Sequence, residues 1–417
     1  MAPLRIEIIN TGSELLIGQV VNTHGAYFGQ QLLEIGLQPS RQVCIPDGEV
    51  IADVLRESTA RGSDVILVTG GLGPTADDIT REVCAEMLGL ELDFDESIMA
   101  AISERFEKFG RVPDDNNKRQ AMVPHGAIVL ENSNGTAPGL FFPPGLKDGS
   151  PAIVLLPGPP RELKPMFENL VLPRLRELLT ERGIIAPHCR NYWFFGLGES
   201  QLATKMDRAL ESHADVEIGY CLKNAGIIVR LTGSETALDK AETPLRECLP
   251  DFLVSDDGAT TEEIVVRLLT EKQQTIATAE SCTGGFIAHH LTNVSGSSGV
   301  FGHGFVTYAN EAKMQHIGVK PETLETHGAV SEEIAAEMAA GALAVSGADH
   351  AIAVTGIAGP TGGSEEKPVG TVCIGLASKG RQPHVRKFLF QTDRLTFKIR
   401  ATVTALDLVR RRLLGFL

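Results

Sequence analysis

The run SDVILVTGG (63–71) is apolar at every position from Val65 to Val68. A strand with one wet face would alternate, so both faces of this one are expected to be buried, as in a central parallel strand flanked by helices. The neighbouring segments agree. LRIEIINTG (4–12) reads as a first strand, Asn22 to Gly36 as a helix closed by glycine, SRQVCIPD (40–47) as a second strand and GEVIADVLRESTARG (48–62) as a second helix. AIVLLPGPPRELKPMF (152–167) adds a late strand, a Pro/Gly turn and another helix. Strands alternating with helices imply βαβ units and a layered α/β domain.

The pattern changes after residue 190. NYWFFGLGESQLATKMDRAL (191–210) and VEIGYCLKNAGIIVRLTG (216–233) read as strand and helix, then two strands, a small α+β module. FLVSDDGATTEE (252–263) reads as a linker. From 262 the alternation resumes, through QTIATAES (274–281), VFGHGFVTY (300–308) and HAIAVTGIAGPTGG (350–363), to a closing helix over 394–414. The fold class expected is therefore α/β: two layered α/β domains, 1–172 and 254–417, joined by an α+β module over 173–253. VILVTGGLGPT (65–75) and AIAVTGIAGPT (351–361) echo each other, but their flanks do not repeat, so they read as two independent strand-to-Gly-loop sites.

Composition excludes several classes. With 417 residues, 43% hydrophobic and 22% charged, the chain suits an ordinary globular protein of two to four domains. A net charge of -15 argues against direct binding to nucleic acid or an anionic membrane. The seven cysteines are scattered and never form C-x-x-C, which argues against a disulfide framework or thiolate zinc site. No apolar run reaches the roughly 18 residues of a membrane span, and the N-terminus reads directly as a strand, so a cytoplasmic location without membrane association is expected.

Four stretches carry potential chemistry. GLGPTA (71–76) follows a strand, and its glycines, Gly71 and Gly73, would let backbone approach a phosphate. Asp77, Asp78 and Glu82 follow; they could hold a divalent cation or simply complement a helix dipole. AESCTGG (279–285) is a strand–Gly loop–helix, the place where α/β sheets bind ligands; Cys282 lacks a partner and reads as a small buried residue. SGSSGVFGHGFVTYANEAK (295–313) sets Ser297-Ser298 in a Gly turn ahead of Tyr308 and Lys313, and a desolvated lysine or Tyr–Lys relay can activate a serine. SEEK (364–367) matches S-x-x-K but lies in a Gly/Pro loop without its partner motifs.

Together AESCTGG, GSSGVFGHGFVTYANEAK, HGAVSEE (327–333) and TGIAGPTGGSEEKPVGTV (355–372) resemble the C-terminal domain of the CinA (competence/damage-inducible) family. NTGSELLIGQVVNTH (10–24), VTGGLGPTADDIT (68–80) and NGTAPG (134–139) resemble its molybdopterin-binding-like N-terminal half. The resemblance implies a nicotinamide mononucleotide amidohydrolase that needs no cofactor. It implies Ser298 as catalytic serine, with Tyr308 and Lys313 activating it; Ser281 stays open as its rival. Glu280, Ser281, Gly284, Gly285, Thr355, Gly356, Ala358, Gly359 and Arg394 would form the substrate cradle. For the N-terminal half it implies metal-dependent ADP-ribose hydrolysis, with Gly71, Gly73 and Thr75 at the ligand and Asp47 and Asp78 on a divalent metal ion. The usual Asn-Thr-Asn is Asn22-Thr23-His24 here. Expected partners are these small nucleotides and a second copy of the chain, as a homodimer; a non-catalytic competence-associated or pterin-binding protein is the alternative.

Overall fold

The computed structural model describes residues 4–223 and 225–417, and the chain divides between Cys189 and Arg190 into two compact units. In the first, strands β1 (Ile6–Thr11), β2 (Pro39–Ile45) and β3 (Val65–Thr69) lie parallel. A short pair, β4 (Leu92–Phe94) and β5 (Met122–Pro124), stands apart. Strands β6 (Ile128–Leu130), β7 (Gly139–Phe142) and β8 (Ala152–Leu156) complete a six-stranded sheet of order β2-β1-β3-β8-β7-β6. Successive residues of a strand point to opposite faces. Accordingly Val65, Leu67 and Val154 enter one core and Ile66, Val68, Ile153 and Leu155 the other, so the apolar run at 65–68 is buried on both sides. Helix Leu172–Glu181 sends Leu172, Leu175, Leu178 and Leu179 into the first of these cores. The first unit thus continues past the 172 expected from sequence.

The second unit holds two sheets. Strand β9 (His188–Phe194), which spans the boundary, joins β10 (Glu217–Lys223), β11 (Gly226–Gly233) and β12 (Leu253–Ser255) in the order β10-β11-β9-β12. Helices Glu199–Ala209 and Glu235–Cys248 pack on it around Phe194, Leu202, Val229 and Leu238. This module has its own core, yet it is tied to the C-terminal helices. Trp193 and Phe195 share a cluster with Val254, Ile264 and Val403. Arg410, wholly buried on the closing helix, donates to Leu253 O (2.9 Å) and Asp251 O (2.7 Å) while paired with Asp407. The boundary expected at 253/254 falls inside β12.

The last sheet contains β13 (Ile276–Glu280), β14 (Phe301–Val306), β15 (His350–Gly356), β16 (Thr371–Ser378) and β17 (Arg381–Leu389), in the order β14-β13-β15-β16-β17. Helix Glu332–Ser346 covers one face; Thr261–Lys272, Phe286–Thr292 and Arg394–Leu414 cover the other. The three parallel strands start and stop together, with Ile276 beside Phe301 and His350 and Glu280 beside Val306 and Val354. The sheet therefore has an amino edge and a carboxyl edge, about 16 Å apart at ~3.3 Å per residue. Among the described residues no helix is long and apolar enough to cross a membrane.

Candidate functional site

At the carboxyl edge of the last sheet a cavity of about 200 Å³ is lined by Ser281, Cys282, Tyr308, Asn310, Lys313, Ala329, Val330, Thr355, Gly356, Ala358 and Arg394. Ser281, Cys282, Tyr308, Thr355, Gly356 and Ala358 come from strand ends or the loops after them, Ala329 and Val330 from the loop before helix Glu332–Ser346, and Asn310, Lys313 and Arg394 from the first turns of helices Asn310–Ile317 and Arg394–Leu414. Gly284 (φ 61°) and Gly285 (φ 91°) both take left-handed backbone, which lets β13 turn at once into helix Phe286–Thr292 and leaves Ser281 facing the cavity. Gly356 is required by a close approach: a Cβ there would lie 2.7 Å from Thr371 O.

Lys313 is 1% exposed, from the first turn of helix Asn310–Ile317, and its Nζ donates to the carbonyls of Thr307 (3.0 Å) and Tyr308 (3.2 Å). No carboxylate pairs with it among the described residues, and burial lowers its pKa. The 61%-exposed Tyr308 accepts from Arg394 Nη2 (3.0 Å), while Arg394 Nη1 donates to Gly359 O (2.8 Å). Thr355 donates to Ala329 O (2.7 Å), so its hydroxyl holds the opposite wall. Burial pushes the Cys282 thiol up to about 12, which makes it an inert wall.

Two expectations need correction. Glu280 does not face the cavity: it is fully buried, and its carboxylate accepts from Ile287 N (3.0 Å) and Ala288 N (2.8 Å), clamping the loop onto the helix start. Ser298 is not brought to Tyr308 and Lys313. It lies exposed in the turn Ser297–Gly299 before β14, at the amino edge, whereas Tyr308 and Lys313 follow β14 at the carboxyl edge. Gly284, Gly285 and Gly359 flank the cavity without lining it. Sequence reasoning missed Asn310, Ala329 and Val330 as lining residues. The last two lie inside the HGAVSEE motif, but small apolar side chains carry no chemical signal.

In the first unit, the loop after β3 folds back on itself. Asp78 Oδ2 accepts from Thr75 N (2.9 Å) and from the Thr75 hydroxyl, and Arg119 Nη1 donates to Thr75 O (2.8 Å). Asp47 accepts from Ser13 N (3.3 Å). Gly71 and Gly73 belong to this loop, with Thr80 N donating to Gly71 O. Asn22 Oδ1 accepts from His24 N (3.0 Å), and burial lowers the His24 pKa while its ring approaches the Gly158 backbone. Among the described residues no three His, Cys, Asp or Glu side chains cluster as metal ligands.

Family models match three segments: the CinA C-terminal domain at residues 258–413, the damage-inducible protein CinA KH domain at 189–249, and a molybdopterin-binding domain at 7–177. A CinA-like protein of Akkermansia muciniphila is 46% identical over 399 residues, covering 95% of each chain. One from Kosmotoga olearia is 39% identical over 419 residues, covering 99% of each. Among solved structures, the competence/damage inducible protein CihA of Agrobacterium tumefaciens is 43% identical over 36% of this chain and 94% of its own, with a TM-score of 0.35. The protein CinA of Thermoplasma acidophilum is 31% identical over 44% of this chain and 99% of its own, with a TM-score of 0.36.

Proposed function

The chain belongs to the CinA family, and from that premise we propose that its C-terminal domain hydrolyses the carboxamide of nicotinamide mononucleotide to the carboxylate and ammonia. The observation that carries this reading is a buried, carboxylate-free lysine, Lys313, sharing one small cavity with Ser281, Tyr308 and Arg394. A lysine whose charge is disfavoured by burial is a proton acceptor matched to a serine nucleophile.

In the proposed course, Ser281 Oγ attacks the carboxamide carbon and its proton passes to neutral Lys313. The C–N bond then breaks, and the leaving nitrogen takes that proton and departs as ammonia. Water attacks the resulting ester and gives a proton to Lys313; the C–Oγ bond then breaks, Ser281 Oγ takes that proton back from Lys313, and the nicotinate leaves as the acid, which ionises to the carboxylate. At about 200 Å³ the cavity is smaller than the roughly 300–1,000 Å³ that encloses a drug-sized ligand. It therefore takes the pyridine carboxamide and leaves the ribose phosphate at the mouth, where the Arg394 guanidinium offers a counter-charge. Ser281 replaces Ser298 as the proposed nucleophile because it alone of the two shares the edge with Lys313.

The deciding experiment compares Ser281→Ala and Ser298→Ala for ammonia release from nicotinamide mononucleotide. Loss of turnover at 281 with near-normal turnover at 298 is expected. The reverse pattern overturns the assignment, and retained turnover in both overturns the serine mechanism. The first unit is proposed to hydrolyse ADP-ribose at the loop after β3, on the strength of the Asp78–Thr75–Arg119 arrangement that presents this loop.

A further inference from the structure

A second cavity, of about 460 Å³, opens at the amino edge of the C-terminal sheet, a full strand length from Ser281. Cations reach it from separate elements: Lys272 ends helix Thr261–Lys272, Lys379 and Arg381 lie at the turn between β16 and β17, and Arg412 comes from the closing helix. In a chain of net charge -15 this convergence runs against the overall balance.

Among the described residues only Lys379 of these cations is paired with a side-chain carboxylate. Asp349, the carboxylate of the lining, has both oxygens engaged: Oδ1 accepts from Lys379 Nζ (3.0 Å), and Oδ2 accepts from Thr275 N and Oγ1 (both 2.9 Å). Among the described residues Lys272, Arg381 and Arg412 have no side-chain carboxylate within ion-pair distance; Arg381 Nη1 reaches Leu417 O at 3.2 Å. Arg412 Nε is buried without a hydrogen-bond partner among the described residues, and its Nη1 makes one long contact, 3.5 Å, to Ser378 Oγ. Burial and the Arg381 charge both lower the Arg412 pKa. His350 on the same wall is held between Ser378 (2.9 Å) and Gln274 (3.2 Å), and burial lowers its pKa, so it adds a polar surface and not a further competing charge.

Covering a guanidinium removes solvation that a counter-ion can return. Arginine forks with lysine point charges over a hydroxyl are the donor set for a phosphate group, whose several oxygens accept from several directions. We propose that this cavity is a binding site for a phosphate group, separate from the Ser281 pocket, with Arg412 and Lys272 as principal contacts. The phosphate is either the free anion or that of a nucleotide.

Thermal unfolding of the full chain, titrated with inorganic phosphate at constant ionic strength, tests this with Arg412→Gln, Lys272→Gln and Arg394→Gln. A saturable rise in Tm is expected for wild type and for Arg394→Gln. Losing one charge-assisted contact weakens apparent affinity about tenfold in Arg412→Gln, with a smaller loss in Lys272→Gln. Lys272 is exposed at a helix end, so its variant keeps the test valid if Arg412→Gln does not fold. A parallel titration with AMP separates the sources: a matching shift, lost in the same variants, assigns a nucleotide phosphate, and a shift with inorganic phosphate alone assigns the free anion. The proposal is overturned if no saturable shift appears up to about 10 mM, where even a millimolar site would stabilise measurably. It is also overturned if both cavity variants respond like wild type, or if Arg394→Gln is the one that loses the response.

Discussion

Replacing Glu280 by glutamine should weaken the second unit before it weakens substrate binding. In the native chain both carboxylate oxygens accept from backbone, at 3.0 Å and 2.8 Å, with no exposure to water. Glutamine keeps one acceptor and turns an NH₂ toward the other N–H, so one charge-assisted bond is lost and one buried donor is orphaned. Such losses cost about 2–3 kcal/mol together. With an m-value of about 2–3 kcal/mol/M, the urea midpoint moves down by roughly 1 M. Trp193, the chain's single tryptophan, is 4% exposed and lies in this unit, so its fluorescence reports the transition. The loop that carries Ser281 would also shift, and misplacing a reacting group by about 1 Å lowers turnover on the order of 10²-fold. An unchanged midpoint together with a raised KM for nicotinamide mononucleotide would falsify this account, because the carboxylate would then be touching substrate.

Other outcomes rest on the same geometry. Lys313→Met should lower ammonia release by about 10²–10⁴, the usual worth of a proton-transfer group. In wild type the rate should rise with pH and level off below the ~10.4 of free lysine, because burial lowers the Lys313 pKa and the neutral amine is the active form; a rate flat across that range argues for another base. His350, also lowered by burial, binds its proton more readily unfolded than folded. Stability from this group is therefore greatest above the ordinary ~6.5 and falls as pH drops from there toward the folded pKa. Urea midpoints at pH 7.5 and 5.5 should differ less in His350→Gln than in wild type. For the first unit, Asp78→Ala should abolish AMP release from ADP-ribose in magnesium; retained release would remove this loop from the chemistry.

A strand was legible where apolar residues filled both faces, as at Val65–Val68, because a four-residue run bounded by Gly is too short for a helix; the order of strands in the sheet was not. Nor were the unit boundaries fully legible. Leu172–Leu179 and Leu253–Ser255 look like ends of elements in one dimension, and only packing assigns them to a core. At the site, Ser281, Tyr308 and Lys313 are conspicuous as hydroxyls and a cation at or after strand ends, whereas Thr355 and Arg394 were indicated only by the resemblance to the CinA family. Which of them meet was not legible. Ser298 is only ten residues from Tyr308 in sequence, yet β14 carries the chain from one edge of the sheet to the other between them. Glu280 misleads for a related reason: a carboxylate beside a ligand loop looks like a contact, and its two backbone partners lie seven and eight residues away.

Arg410 has a meaning for how such a chain can be divided. Sequence families parse the second unit into segments, 189–249 and 258–413, that look interchangeable, like beads. Folding does not respect that punctuation, because the guanidinium spends its donors on carbonyls at 251 and 253, in the gap between the two segments. The two segments are therefore expected to melt together. Hydrogen exchange in the module and in the closing helix should rise and fall as one, and a viable cut belongs before β9, ahead of residue 188, not after 249.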